Sequence, residues 1–515
     1  MEDTMSPARL LLAARLFGAP TLFTGDRAKR PLRVLQIGCG RGERLLALAF
    51  HDPEAAYFGL DEDPEAVAAA IAAAQEIGLE NVRFEVGGFS DPPAEIGEFD
   101  LILGGDALAR RGEVGAIDVL SLGRRCLSER GALALTYPVF PGAATRAMAR
   151  SLVGAAADPR APVAKRAADV RAAAAGFKGM LGPSNHPYPQ LLALELGRVE
   201  GAPDEVIARE YLDAPDTAYW HADVVRRAEA EGLRFVADAA WNQPEGHVSQ
   251  EIVSEVASRG LAGAALDQAL DVLRCRAERT SLFCRADAGI GDPPGGELLD
   301  ELWIVSPLRS GREGESVTPD LTPGVEEPFL GLGGQRVASP DPLLKAALLE
   351  LHAVFPKALR FAETVSAAVT RLHEAGADGE PSDAQVGGLA RDLWELYRSG
   401  LVDLLPDPPR FPVGSKRGPV LHALARHEVA SGRPPTTALY TPMELPRFEA
   451  ELVRHMVPGA DEDSLVGAML LEAAKGGVAI EIGGSRLTDP TLIEPMVRGL
   501  VRRGVALLGR WGLLE

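Results

Sequence analysis

The segment Gly38-Cys39-Gly40-Arg41-Gly42 could bind a ligand through its backbone. Glycines let the chain turn tightly and approach a bound molecule, and a helix that begins after them presents free N–H groups suited to a carboxylate or phosphate. The spacing is G-x-G-x-G, which differs from the G-x-G-x-x-G of dinucleotide loops. Asp61 stands 19 residues after Gly42, where a carboxylate can accept both hydroxyls of a ribose. A purely structural glycine turn is the alternative for the loop alone.

The elements that position this loop are short apolar strands that alternate with helices. Strands are predicted at 33–37, 57–60, 82–86, 99–103 and 132–137, with helices at 43–49 and 64–75. This alternation predicts a parallel sheet with helices on both faces. The loop then follows the first strand and Asp61 ends the second, which favours a binding site over a structural turn.

The composition of the chain excludes several classes of protein. There are 53 lysines and arginines against 73 aspartates and glutamates, a formal net charge of −20. This balance argues against a nucleic-acid partner, because phosphate binding needs a basic surface, and it suits a cationic substrate. The four cysteines and nine histidines show no paired spacing, so neither a disulfide framework nor a metal site is predicted. Without a secretion leader or a long apolar run, we expect a cytoplasmic protein with no membrane insertion.

The chain after the sheet changes in composition several times. It is helical and alanine-rich from about residue 142, and it is mixed over roughly 204–287. Stretches rich in proline and glycine at 292–296 and 407–412 are typical of linkers. We therefore predict five parts, at residues 1–145, 146–203, 204–290, 296–405 and 410–515.

Several segments resemble one family of enzymes. The glycine loop, Asp61 and the order of the strands resemble the class I S-adenosylmethionine-dependent methyltransferases. Other segments resemble the members that carry a methyltransferase regulatory domain, and in their shared order they cover most of the chain: residues 34–40, Gly59-Leu60-Asp61, residues 97–100, Phe140-Pro141-Gly142, residues 210–213, Tyr219-Trp220-His221, and residues 273–282, 342–348 and 439–448.

The resemblance implies an α/β architecture for the five parts. A Rossmann-like methyltransferase core at 1–145 would be followed by a helical insert at 146–203, which resembles a dimerisation insert and implies a homodimer. The regulatory domain would occupy 204–290, and two winged-helix-like modules would complete the chain. Residues 296–405 hold 18 acidic and 9 basic residues. Protein recognition or internal packing is therefore a better interpretation of this module than DNA binding.

The resemblance also implies S-adenosyl-L-methionine as the cofactor. Gly38, Cys39, Gly40 and Gly42 would contact its methionine part, with Cys39 as a small buried residue, and Asp61 would bind the ribose. Two further positions depart from the family pattern. Gln36 stands where the family usually has an acid near the cofactor amino group, and Gly88 replaces an aspartate near the adenine, whose ring Phe89 could still contact.

The substrate side departs further from the family. The group includes bacterial enzymes that methylate lysines of outer-membrane proteins, so the resemblance implies a protein substrate and lysine methylation. Residues 105–110 and 137–143 differ from the usual substrate wall. Asp106 and Tyr137, which end the fourth and fifth strands, are the candidate catalytic residues, for attracting or deprotonating the amine and for orienting it. A helix cap is the alternative for Asp106, and a packed strand end is the alternative for Tyr137.

Two other functions stay open at this point. Because the altered positions lie around the predicted site, the chain could be a catalytically degenerate binding protein that keeps the fold. It could also methylate a small molecule.

Overall fold

The fold is centred on one seven-stranded sheet. The structure is a computed structural model, which describes the chain apart from residues 1–5, 22–29, 94–95, 106–111, 183–184, 213–216, 243–247, 293–295, 312–317, 333, 412–418, 479–480, 483–484 and 487–489. The strand order is β3-β2-β1-β4-β5-β7-β6. The strands are β1 Arg33–Ile37, β2 Ala56–Asp61, β3 Val82–Val86, β4 Phe99–Gly104, β5 Leu127–Pro138, β6 Leu233–Asp238 and β7 Glu278–Arg285.

The first five strands run parallel, as the alternation of strands and helices predicts. The fifth begins at Leu127, earlier than the predicted residue 132, because Leu127 already pairs with Phe99 of β4 and a register shift separates this pair from Leu101 and Ala132. The sheet then continues into the predicted regulatory part. There β7 runs antiparallel to both β5 and β6, so the sheet is mixed.

Helices cover both faces of the sheet. Alternate side chains of a strand point to opposite faces, and Val34 and Leu35 accordingly belong to different hydrophobic cores. The first of these helices are α1 Pro7–Leu16, α2 Glu43–His51, α3 Pro64–Ile77 and α4 Gly112–Cys126. The first three cover one face and α4 packs on the other. Asp63 caps α3 by accepting hydrogen bonds from two backbone N–H groups of its first turn.

The helical insert forms a separate core beside the sheet. It contains α5 Gly142–Val153, α6 Val163–Leu181, α7 Pro187–Gly201 and the short α8 Asp204–Ile207, which continues into a π-helical turn, Ala208–Leu212. Small alanine side chains at buried positions let these helices pack closely.

The following segment returns to the sheet. It contains α9 His221–Ala230, α10 Gln250–Ser258 and α11 Gly263–Arg274, around strands β6 and β7. Apolar residues of α9 pack in the same core as α4.

The C-terminal half contains two large hydrophobic cores and a small third one around Val305, Phe355 and Leu405. The first surrounds a 3-10 turn Gly296–Glu301, β8 Trp303–Val305, β9 Arg309–Ser310, β10 Glu327–Leu330, β11 Arg336–Ser339, α12 Pro342–Val354, β12 Leu359–Arg360, α13 Phe361–Glu374, α14 Asp383–Arg398 and β13 Asp403–Leu405. The second contains α15 Ala423–Ala430, α16 Arg447–His455, α17 Glu462–Lys475, the hairpin β14 Glu481–Ile482 and β15 Ser485–Arg486, and α18 Pro490–Arg510. Helices with small antiparallel sheets agree with the expected class, and the winged-helix assignment stays a prediction. Every helix within the described residues is too short or too polar to span a membrane.

Candidate active site

The glycine loop lies at the carboxyl edge of the sheet, between β1 and α2. Gly38, Gly40 and Gly42 all have positive φ, at 71°, 53° and 77°, a region that favours glycine. A Cβ on Gly42 would lie 2.6 Å from the Phe84 ring, so this glycine is needed for packing. A Cβ on Gly40 would meet no heavy atom of the described chain within 4 Å. The loop is therefore packed on its inner side and open at Gly40.

Asp61 joins the loop to the end of the next strand. Its Oδ2 accepts a hydrogen bond from the Gly40 N–H at 2.7 Å, and its Oδ1 accepts one from the Asp63 N–H at 3.0 Å. The backbone N–H groups of Gly38 and Cys39 donate to the Leu60 carbonyl. Two features predicted from separate parts of the sequence are thus in direct contact.

Gln36 lies near the carboxyl end of β1, between Gly59 of β2 and Leu103 of β4. Its Oε1 is buried and has no hydrogen-bond partner within the described ranges. A buried acceptor without a donor costs about 1–3 kcal/mol. The orphaned oxygen and the open Gly40 fit a ligand that carries hydrogen-bond donors, such as an amino group and a ribose.

Cys39 is buried inside the loop. Burial and the neighbouring Asp61 carboxylate raise the pKa of its thiol to about 12. A thiol with such a pKa is protonated at neutral pH and is not a nucleophile. This agrees with the prediction of a small packed residue.

Gly88 and Phe89 follow β3 at the same edge. The Gly87 N–H donates to the Asp61 carbonyl at 2.9 Å, which brings this segment beside the acid. A Cβ on Gly88 would stand 3.5 Å from the Glu62 carboxylate, and Phe89 is buried in the core with Leu60. The proposed contacts of both residues with an adenine stay predictions.

Tyr137 lies near the carboxyl end of β5 and is fully buried. Its hydroxyl is 2.9 Å from Nδ1 of His221 and 2.7 Å from Oγ of Ser281. Burial raises the pKa of Tyr137 well above its usual value and lowers the pKa of His221 to about 3, so both groups are neutral. The geometry suits a residue that positions its neighbours, and orientation of the substrate by Tyr137 stays a prediction. Asp106, the other catalytic candidate, lies outside the described residues.

A buried ionic cluster beside Tyr137 was not predicted. Arg279 donates to Asp271 at 2.8 Å and lies 3.5 Å from Asp238, which also contacts Arg276. Burial favours a higher pKa for Asp238, but Arg276 and Arg279 outweigh it and lower that pKa. The cluster, defined by these four side chains, fastens β6, α11 and the start of β7 beside β5. Its sequence signal is a pair of arginines placed directly before and within an apolar strand.

Another group of charged side chains lies in the last module. Potential ligand atoms of Glu451, His455 and Glu472 lie within 4.8 Å of one another. Arg454 and Lys475 donate to the two carboxylates at 3.0 and 2.8 Å. These contacts pair each acid with a cation on its own helix, so both carboxylates have a positive partner without any metal ion.

Two family models match the chain. Residues 28–163 match the family described as a methyltransferase domain, and residues 203–285 match the family described as a predicted methyltransferase regulatory domain. These matches confirm the resemblance to S-adenosylmethionine-dependent methyltransferases with a regulatory domain that the sequence motifs indicate.

Similar proteins extend the likeness to the full length. The chain is 21% identical to an uncharacterised protein of Rickettsia prowazekii over 508 residues, 96% of this chain and 88% of that protein. The structure of PKMT2 from Rickettsia typhi in complex with AdoHcy superposes with a TM-score of 0.82, at 17% identity, over 99% of this chain and 98% of that one. A tRNA (guanine-N(7)-)-methyltransferase of Rubrobacter xylanophilus is 45% identical over 74 residues, 14% of this chain and 31% of that enzyme. The PKMT2 superposition shows that the whole fold is shared.

Proposed function

We propose that this chain, an S-adenosylmethionine-dependent methyltransferase, methylates lysine side chains of a protein substrate. The contact between Gly40 and Asp61 is the observation that carries the proposal, because it joins the open loop to the acid expected to bind a ribose. The net charge of −20 supports a cationic substrate. The full-length likeness in fold to PKMT2 supports a protein substrate selected by the later modules.

In this proposal, different residues at the carboxyl edge contact different parts of the cofactor. Gly38, Cys39, Gly40 and Gly42 hold the methionine part, with Gln36 Oε1 accepting a hydrogen bond from its amino group. Asp61 accepts hydrogen bonds from the ribose hydroxyls. Gly88 and Phe89 line the adenine. The open Cβ position of Gly40 and the buried Gln36 Oε1, which has no hydrogen-bond partner among the described residues, support these assignments.

The reaction requires a neutral amine. The lysine nitrogen forms a bond to the methyl carbon as the carbon–sulfur bond of the sulfonium breaks, which leaves a thioether. A lysine with a pKa of about 10.4 is protonated at neutral pH, so one proton must leave before attack. We propose that Asp106 or a water molecule accepts this proton. The substrate wall, which Tyr137 supports, orients the amine. Positioning of the two reactants supplies most of the acceleration.

A labelled-methyl experiment tests the proposal. The purified chain is mixed with methyl-labelled S-adenosylmethionine and with a panel of lysine-containing proteins and small amines, and label is located by mass spectrometry. We expect label on protein lysines, and its loss in Gly40→Arg, whose side chain would fill the cofactor space. Gly78→Arg is the matched control, because Gly78 also has positive φ and an open Cβ position but lies at the end of α3.

Other outcomes of this experiment favour the other functions. Binding of S-adenosylmethionine with no transfer to any acceptor would favour a catalytically degenerate binding protein. The neutral Gln36, in place of the usual acid, is the observation that supports this alternative. Label on a small amine alone would favour a small-molecule enzyme.

The setting of the enzyme completes the proposal. We propose that it works in the cytoplasm as a homodimer joined through the helical insert at 146–203, and that a surface or outer-membrane protein is its substrate. Light scattering of the full chain tests the dimer: a monomeric mass at micromolar concentration would reject it.

A further inference from the structure

We infer that Phe140 and Trp220 form an aromatic wall that receives the substrate lysine, an inference that rests on the proposed function. The two rings lie 5.1 Å apart between centroids, at an interplanar angle of 34°. Trp220 is 41% exposed, and aromatic residues are scarce in this chain, at 5%. Phe140 belongs to the predicted substrate wall, and Trp220 comes from the regulatory domain.

Backbone contacts hold the two aromatic residues in a fixed relation. Val139 and Tyr219 form a parallel bridge. The Tyr219 N–H donates to the Pro138 carbonyl at 2.9 Å, and the Phe140 N–H donates to the Tyr219 carbonyl at 3.0 Å. These bonds fix the backbone on both sides of the pair. Backbone hydrogen bonds just beyond the end of β5 therefore position the wall, which does not depend on packing between the side chains alone.

The register of the sheet places this wall at the same edge as the cofactor loop. Gln36 of β1 stands level with Leu103 of β4, which stands level with Ala134 of β5. Gly40 and Phe140 both follow these residues past the carboxyl edge. Strands lie about 4.8 Å apart, so the lateral separation is about 10 Å. A methylsulfonium group over the loop and a lysine entering over β5 can meet in that space.

The chemistry of the wall matches a lysine side chain. The indole face attracts cations more strongly than other aromatic faces, and the aliphatic stem can lie along an apolar ring. Glu278 is exposed and stands opposite Pro138 in the register, two residues before Phe140. A lysine with one or two methyl groups still carries a positive charge when it is protonated, is more apolar than lysine, and can accept another methyl group. The same wall would therefore hold it for further rounds.

Peptide binding to the full-length chain tests this inference. The probes are two synthetic peptides that carry one lysine, unmethylated or trimethylated, titrated calorimetrically with S-adenosylhomocysteine present. We expect Trp220→Ala to weaken both peptides at least tenfold, with the affinity for S-adenosylhomocysteine unchanged. Trp220→Phe should retain most of the affinity. Tyr188→Ala removes another exposed aromatic side chain, 48% exposed on α7, and should change nothing.

Failure of the inference and failure of the proposed function give different results. If the wild-type chain methylates lysines but Trp220→Ala binds both peptides as tightly as wild type, the aromatic wall is wrong and the function stands. If the wild-type chain labels no protein lysine, the proposed function is wrong, and the inference about the aromatic wall is wrong as well. A circular-dichroism melt of each variant shows that a loss of binding is not a loss of folding.

Discussion

Asp61 has two roles at the scale of the single residue. It fixes the loop by accepting the Gly40 N–H, and it caps the turn before α3 by accepting the Asp63 N–H. A carboxylate in this position is already oriented before any ligand arrives. Little rearrangement is then needed to accept ribose hydroxyls, which is the condition for useful binding energy.

Replacement of Asp61 by alanine should weaken cofactor binding. The variant loses hydrogen bonds to a charged acceptor, each worth about 1.5–3 kcal/mol. We expect the Kd for S-adenosylmethionine to rise at least tenfold in calorimetric titration. Asp63→Ala is the control: it removes the cap of α3 and should cost about 1 kcal/mol of unfolding free energy with unchanged affinity. An unchanged Kd in Asp61→Ala would refute the ribose assignment.

The sequence predicts the loop and Asp61 but not the surroundings of Tyr137. The first two are specified by local spacing, since a strand, a glycine turn and the next strand are sequential. The partners of Tyr137 are 84 and 144 residues away along the chain. No periodicity indicates such a contact, so the buried hydroxyl could not be distinguished from an exposed one.

At the scale of the element, the two added strands matter most. The alternation of strands and helices predicts the five parallel strands. Strands β6 and β7 come after the helical insert, which has a hydrophobic core of its own. The local sequence of a strand does not indicate which sheet it joins when a separate helical domain lies between it and the earlier strands. The ionic cluster holds the returning segment in place, and it does so directly beside β5.

Removal of Arg279 should destabilise this part of the sheet. The side chain is 3% exposed, and its loss would leave Asp238 with Arg276 as its remaining arginine partner and would remove the 2.8 Å partner of the buried Asp271. Breaking a buried ion pair from one side costs about 3–5 kcal/mol. We expect a loss of this size for Arg279→Ala in urea denaturation monitored by circular dichroism.

Arg285→Ala is the matched control on the same strand. Arg285 pairs with the exposed Asp287, and surface pairs contribute at most about 1 kcal/mol. Equal losses in the two variants would show that the buried cluster does not fasten β7 to its neighbours.

At the scale of the whole molecule, the C-terminal module is docked on the methyltransferase domain. Phe50 at the end of α2 stacks on His422, with ring centroids 4.5 Å apart, and His51 lies 5.8 Å from the same ring. Nδ1 of His427 lies 2.9 Å from the Glu76 carboxylate at the rim of this interface. Composition and linkers predict separate modules, but the contacts between them were beyond the sequence, because they join residues more than 350 positions apart.

The two buried histidines make this docking sensitive to acid. Burial lowers the pKa of His422 to about 3 and that of His51 to about 4. An unfolded histidine has a pKa of about 6.5, so below that pH the unfolded state binds protons that the folded state does not. Stability is therefore complete above about pH 6.5 and is lost as the pH falls toward the folded pKa values. Each histidine contributes at most about 1.4 kcal/mol per pH unit in this window.

His422→Asn separates this effect from general acid denaturation. Nδ1 of His422 accepts the Ala425 N–H and caps α15, and asparagine is also a good cap. The thermal midpoint should fall less between about pH 7.5 and about pH 5.5 in this variant than in the wild-type chain, because one titrating group is gone. The exposed His373 on α13 gives the control, and His373→Asn should keep the wild-type slope. The same slope in all three proteins would mean that acid acts elsewhere, and that the module interface is held by groups other than these histidines.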